Sequence, residues 1–174
     1  MELKILKLQN CGDKCVVCGQ ESFFSLGAKF YECQKDIVCS IVKGRDEHQS
    51  YPNRMHGGLI TALLDETIGR AILINEPDMW GVTTTITVKF RKPVPLNENL
   101  KCFGILTKNT SLGFSGKGII ESENGELLAT AEATYVKMKL NQITTKNTVW
   151  TYFPDERSLK FVKLNNEQAL GVLN

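Results

Sequence analysis

Apolar and polar residues alternate most clearly between positions 82 and 91. Val82, Thr84, Ile86, Val88 and Phe90 share one face of an extended chain; Thr83, Thr85, Thr87, Lys89 and Arg91 share the other. One covered face and one polar face predict an antiparallel strand. Residues 28–33 and 37–42 form a shorter pair around the polar Gln34-Lys35-Asp36, which predicts a hairpin. Residues 100–108, 114–122 and 126–137 add three strands. Pro93 and Pro95 separate the first strand after the helix from the next, and Asn124-Gly125 supplies a hairpin turn because both residues tolerate positive φ. Residues 43–53 are polar and punctuated by Gly44, Pro52 and Asn53, so they read as a loop. From Gly57 to about Asn75 the pattern turns helical and stops at Pro77. Leu59, Ile60, Ala62, Leu63, Leu64, Ile68, Ala71, Ile72, Leu73 and Ile74 cover most of that helix, and a helix apolar all round is buried. An α+β arrangement satisfies all of this: a curved antiparallel sheet of about six strands wrapped around one long central helix.

Composition supports that picture and narrows the function. The chain has 174 residues, of which 42% are hydrophobic and 23% charged, as in ordinary globular proteins. This length suits one domain with modest extensions: an amino-terminal Cys-containing segment (1–27), the main domain (28–140) and a carboxy-terminal extension (141–174). The extension is rich in Asn, Thr and Lys, with Trp150, Tyr152, Phe153 and Phe161 as candidate anchors. Twenty-one basic and nineteen acidic residues leave a net charge of +2, too balanced to indicate a nucleic-acid or membrane partner. No apolar run approaches the ~20 residues that span a bilayer, and the first ten residues lack the features of a secretion signal. A cytoplasmic location is the expectation.

Six cysteines, at positions 11, 15, 18, 33, 39 and 102, need their own reading. Cys15-x-x-Cys18-Gly19 is half of a zinc knuckle, which Cys11 or Cys33 would complete as a four-thiolate set. The second C-x-x-C of the strong pattern is missing, and His48 and His56 are the only histidines. Reduced, partly buried thiols without a metal are therefore expected, with a Cys-organised interaction protein as an alternative. Other standard motifs fail. Gly113-Phe114-Ser115-Gly116 is not a nucleophile elbow, and Gly116-Lys117-Gly118 puts glycine where a phosphate loop needs Ser or Thr.

The remaining chemistry gathers on the helix. Gly57 and Gly58 expose unpaired N–H groups where the helix begins, and its dipole adds partial positive charge there. A polarised carbonyl oxygen is favoured at such a place. Asp65 lies two turns further in among apolar neighbours, where burial makes a carboxylate a better base. Glu66 and Arg70, at i and i+4, read as a helical ion pair.

His56-Gly57-Gly58, six residues and then Asp65, on a helix within this strand order, resembles the hotdog-fold acyl-CoA thioesterases, most of all the PaaI-like (phenylacetate-pathway) branch. The similarity runs over residues 28–138, and Cys15-Val16-Val17-Cys18-Gly19 also resembles the amino-terminal segment of some members. The resemblance implies hydrolysis of acyl-CoA to a carboxylic acid and free CoA, without metal or other cofactor, in a homodimer or dimer of dimers. It implies that the Gly57 amide polarises the thioester carbonyl and that Asp65 is base or nucleophile. Thr83 would position the attacking water, with His56, Gly58 and Asn53 at the substrate. Relatives carry Asn or Gln six residues before the histidine; here that place is Ser50, and Gln49 serves if the loop holds one extra residue. Lys89, Arg91, Lys92, Lys108 and Lys117 are candidates for the CoA phosphates. A non-catalytic acyl-CoA-binding or sensor protein is the alternative.

Overall fold

The computed structural model describes residues 1–144, 150–152, 154 and 158–172, with backbone alone for Trp150 and Thr151. Strands β1 (Glu2–Leu8), β2 (Cys11–Gly12), β3 (Phe30–Cys33) and β4 (Ile37–Lys43) precede helix α1 (Gly57–Gly69). Strands β5 (Met79–Phe90), β6 (Asn99–Asn109), β7 (Gly113–Ser122) and β8 (Leu127–Lys139) follow it. Then come α2 (Leu140–Ile143), β9 (Trp150–Thr151), β10 (Phe161–Lys163) and α3 (Glu167–Leu170). Eight strands form one antiparallel sheet in the order β10-β1-β3-β4-β6-β7-β8-β5, and β2 pairs with β9. This is the hotdog fold. The expected six strands are β3 to β8. The sheet has eight because β1 and β10, from the two terminal segments, extend it beyond β3.

The long helix of the sequence pattern is two pieces. α1 ends at Gly69, and the chain tightens into a 3-10 turn over Arg70–Ile74. Ile60, Leu63, Leu64, Thr67 and Ile68 face the sheet and are buried. Leu59, Ala62, Glu66, Gly69 and Leu73, at i, i+3 and i+4 spacings, form a half-buried stripe on the other side.

The helix can lie close because the sheet beneath it lacks side chains at the points of contact. A Cβ on Gly104 would stand 2.7 Å from the Thr67 carbonyl oxygen, and one on Gly118 2.8 Å from Ile68. The glycines that fail as a phosphate loop are a floor for α1.

Strand β5 departs from strict alternation. Its register against β8 slips between Thr83 and Thr85, so Thr84 is an extra, unpaired residue. Thr83 pairs with Tyr135, whereas Ile86 and Val88 pair with Ala133 and Ala131. The bulge moves Thr83 from the polar outer face, where alternation places it, to the face that meets α1.

The outer face of the sheet carries a second core. Tyr31, Cys33, Cys39, Phe103 and Ile119 are covered by Val162, Leu164 and Leu170 of the carboxy-terminal extension. These aliphatic residues are the anchors. Tyr152 and Phe161 are exposed instead, and Phe153 and the Trp150 side chain lie outside the described residues. The carboxylate of fully buried Glu121 fixes the same segment, accepting from the backbone N–H groups of Asn165 and Asn166 at 2.9 and 2.5 Å. Gly104→Ala should lower stability by about 1–3 kcal/mol, because the clash is with helix backbone that cannot rotate away. Denaturant midpoints of the purified variant check this.

Candidate active site

His56 is the N-cap of α1. Its Nδ1 accepts the Gly58 N–H at 2.9 Å, and its carbonyl accepts from Leu59 and Ile60 at 3.0 and 3.1 Å. These bonds use three of the amides at the helix start. The Gly57 N–H has no partner among the described residues, so Gly57 alone offers a donor there. It faces an open pocket of about 510 Å³ with Ser50, Tyr51, Arg54, Phe90 and Arg91. Gln49 and Asn53 do not line that pocket. Gln49 is exposed and bridges Met55, and Asn53 takes a positive φ of 60° in the turn before Arg54. The structure therefore brings neither of them to Asp65.

Asp65 sits half-buried at a different opening. The Thr83 hydroxyl donates to both its carboxylate oxygens, at 2.9 and 3.1 Å. The Tyr135 hydroxyl lies 2.9 Å from the Asp65 carbonyl oxygen and 3.1 Å from Oδ1. Burial and the neighbouring carboxylate push the Tyr135 phenol well up, so it stays protonated and keeps donating. The carboxylate is thus fixed in orientation by two neutral donors. Beside it lies a pocket of about 320 Å³ with Val16, Val17, Leu73, Trp80 and Gly81 on its walls.

Sequence reading missed Tyr135, Trp80 and the use of residues 15–17 as a pocket wall. One signal was available. Along β8 the helix-facing positions run Ala129, Ala131, Ala133 and then Tyr135. A single large polar-tipped ring ending a row of alanines marks a place where a hydroxyl is wanted inside.

The amino-terminal thiols pack against the same helix. Cys15 Sγ donates to Glu66 Oε2 at 3.2 Å, and Arg70 donates to Glu66 Oε1 through Nε and Nη2 at 2.9 and 2.8 Å. The expected i, i+4 pair is present, with Arg70 buried. Arg70 Nη2 also reaches Cys18 Sγ at 3.3 Å, and Cys11 Sγ donates to the Ala28 carbonyl at 3.7 Å. Cys33 is excluded from this group. It lies in the outer core, where burial pushes its thiol up to about 12.

Of the five candidate cations, Lys89, Arg91 and Lys117 meet around one concavity of about 270 Å³ on the outer face. Arg91 also lines the Gly57 pocket. Lys117 is paired with Glu132, which lines the same concavity, at 3.4 Å; Lys92 is paired with Glu126 and lines the Gly57 pocket, and Lys108 lies outside both.

The sequence pattern of the thioesterase superfamily matches residues 53–129. Human acyl-coenzyme A thioesterase 13 is 25% identical over 99 residues, covering 56% of this chain and 70% of that protein. Among solved structures, a thioesterase superfamily protein aligns with a TM-score of 0.65 at 24% identity, over 70% of this chain and 59% of that one. The PaaI protein of the Escherichia coli phenylacetic acid degradation operon aligns with a TM-score of 0.58 at 14% identity, over 65% of this chain and 80% of that one. The structural likenesses establish a shared fold.

The loop before the helix hangs on His48. Its Nδ1 accepts the Arg45 N–H at 3.0 Å, which leaves the proton on Nε2, 3.3 Å from the Phe24 carbonyl. Its own carbonyl accepts the His56 N–H at 2.8 Å. Burial and the Arg45 charge hold the imidazole below its usual range. A depressed folded-state pKa means that this contribution is complete above about 6.5 and is lost as pH falls through the lower folded value. Thermal melts should therefore show a loss of stability below pH 6.5 that shrinks in His48→Asn, whose carbonyl keeps the Nδ1 acceptor without a titrating group.

Proposed function

We propose that this chain, a hotdog-fold protein of the thioesterase superfamily, is an acyl-CoA thioesterase of the PaaI-like branch. The observation that carries this reading is the carboxylate of Asp65, held by Thr83 and Tyr135 at the edge of an apolar pocket, together with the unpaired amide of Gly57. Asp65 takes a proton from water, and the oxygen attacks the thioester carbonyl, whose developing charge the amide stabilises. The C–S bond then breaks and the thiolate takes up the proton. No step uses a metal. The Thr83 hydroxyl donates to Asp65 and keeps lone pairs to accept from the water. Lys89, Arg91 and Lys117 form the cradle for the CoA phosphates, and Arg91 links that cradle to the Gly57 pocket. Acyl-coenzyme A in the name of the human relative supports the substrate class.

The two halves of the site belong to different subunits in this reading. Eight residues of helix put Gly57 about 12 Å from Asp65 along the axis, and their pockets share no lining residue. Reaction needs about 3–3.5 Å. β5 is a sheet edge with Thr83 near one end and Phe90, beside Gly57, at the other. Antiparallel pairing of two such edges around Ile86 sets one subunit's Asp65 against the other's Gly57. It also covers Val82 and Phe90, 39% and 56% exposed, and the half-buried stripe of α1.

Asp65→Asn should lower kcat by about 10²–10⁴-fold with substrate binding retained. Mixing it with Gly57→Val should restore activity through heterodimers carrying one intact site. Undiminished hydrolysis by Asp65→Asn would sink the mechanism, and failure of mixing despite proven subunit exchange would sink the shared site. Bound acyl-CoA without turnover by the wild type would favour the sensor reading. Thr83→Val removes one donor to a charged group, about 1.5–3 kcal/mol, and should cost roughly 10–150-fold in kcat. Steady-state assays over short, long and aromatic acyl-CoAs read these outcomes.

A further inference from the structure

The cluster that borders the Asp65 pocket through Cys15 and Glu66 takes no part in the proposed hydrolysis and is more than a set of spare thiols. Cys15 Sγ, Cys18 Sγ and a carboxylate oxygen of Glu66 all lie within 4.8 Å of one another. Cys11 is buried next to this group; its Sγ donates to the Ala28 carbonyl at 3.7 Å, and turning it toward Cys18 would bring a fourth donor. Around a tetrahedral zinc with bonds near 2.3 Å, sulfurs sit about 3.8 Å apart, so Cys15, Cys18 and Glu66 need only a small contraction, and Cys11 a turn of its side chain.

The surroundings are those of a metal knuckle. The backbone N–H groups of Val17 and Cys18 point at Cys15 Sγ at 3.3 and 3.4 Å, and that of Gly12 points at Cys18 Sγ at 3.4 Å. Sulfur is a poor acceptor as a thiol and a good one as a thiolate, so three amides aimed at two sulfurs suit the deprotonated, metal-bound form. Gly19 closes the turn. Its N–H meets the Cys15 carbonyl at 2.8 Å, and a Cβ there would lie 2.4 Å from that oxygen. Arg70 holds Glu66 Oε1 from behind and leaves Oε2 toward the thiols. Second-shell partners of ligating carboxylates act in this way. Three thiolates and one carboxylate around a divalent ion leave a charge of −2, which the buried guanidinium reduces to −1.

We propose that Cys11, Cys15, Cys18 and Glu66 bind one zinc ion that fastens the amino-terminal segment to α1. Binding displaces three thiol protons, so occupancy rises with pH. Four protein ligands close the coordination sphere and leave no position for water, which makes the ion structural and leaves the hydrolytic chemistry to Asp65. The ion also fixes Val16 and Val17 as a wall of the Asp65 pocket. The site hides from sequence reading because its fourth ligand is a carboxylate 48 residues beyond Cys18, on the face that the fold turns toward the knuckle.

The test uses the full chain, purified under reducing conditions from zinc-supplemented culture. Elemental analysis should find about one zinc per chain in the wild type and in Asp65→Asn, and none in the Cys15→Ser/Cys18→Ser pair. Cobalt titration of metal-stripped protein should give thiolate charge-transfer absorption with the intense visible bands of tetrahedral cobalt. Glu66→Cys should keep both, whereas Glu66→Gln should weaken binding by about tenfold or more. Chelation should speed proteolysis within residues 1–27, and added zinc should reverse that. Reduced wild type that binds neither zinc nor cobalt would overturn the proposal, as would full occupancy in a folded double-serine variant. Neither result would touch the role of Asp65, which is read from acyl-CoA hydrolysis.

Discussion

Everything at the site depends on how closely α1 lies against the sheet. Gly104 and Gly118 allow the backbone of Thr67 and the side chain of Ile68 to rest directly on β6 and β7. With larger residues there, the helix would ride higher and Asp65 would leave the reach of Tyr135, whose ring rises from the neighbouring strand β8. Burying Leu63, Leu64 and Ile68 completely fixes the helix in rotation as well as height, since an apolar face that fills a close-packed core has one best setting. That rotation turns Asp65 toward β5 and Glu66 toward the amino-terminal thiols. A packing constraint in the core thus assigns the chemistry on the surface of the helix.

Much of this was legible in the chain itself. The six strands β3 to β8 follow from alternation and turn residues, and the buried helix follows from its unbroken apolar content. The places of Gly57 at a helix start and of Asp65 two turns into the same helix were visible in the chain. The errors have physical causes. Alternation assumes an unbroken pleat, so it set Thr83 with the polar residues; one bulged residue reverses that face. Strand β1, Glu2–Leu8, interleaves three charges with its apolar residues because it is nearly at the sheet edge, and only Leu3 of the seven is buried. The aromatic residues of the carboxy-terminal extension suggest themselves as its anchors, whereas the outer face takes the aliphatic Val162, Leu164 and Leu170. Glu66 as a partner of distant thiols could not be read from spacing at all.

His56 shows how the first residue of the motif shapes the helix start. Its ring spends an acceptor on the Gly58 amide, and its carbonyl takes the two N–H groups that follow. A helix start has four unpaired amides, and each one capped is removed from competition for a ligand oxygen. With three of them satisfied internally, the remaining donor at Gly57 is defined in both position and direction. A preorganised donor stabilises developing charge without reorganising during reaction, which loose backbone cannot do. The histidine thus leaves one amide at the helix start without a partner among the described residues.

Asp65 and Glu66 are neighbours in sequence and opposites in environment. Two hydroxyl groups hold Asp65, and neither carries charge, so its negative charge is oriented but not neutralised. Glu66 meets a buried guanidinium at 2.8 Å, and its charge is compensated within its own helical turn. A carboxylate held by neutral donors at a pocket remains available to a proton from water, whereas one locked to arginine is a poor base. Successive helix positions point about 100° apart, enough to place the two acids against different strata of the fold: β5 and β8 for Asp65, the thiol-bearing segment for Glu66. Two adjacent carboxylates thus meet two environments because their partners differ, the same logic by which environments divide acid from base at catalytic sites. The stratum that holds Glu66 also supplies Val16 and Val17 to the pocket of Asp65, so the order of the amino-terminal segment bears directly on the shape of that pocket.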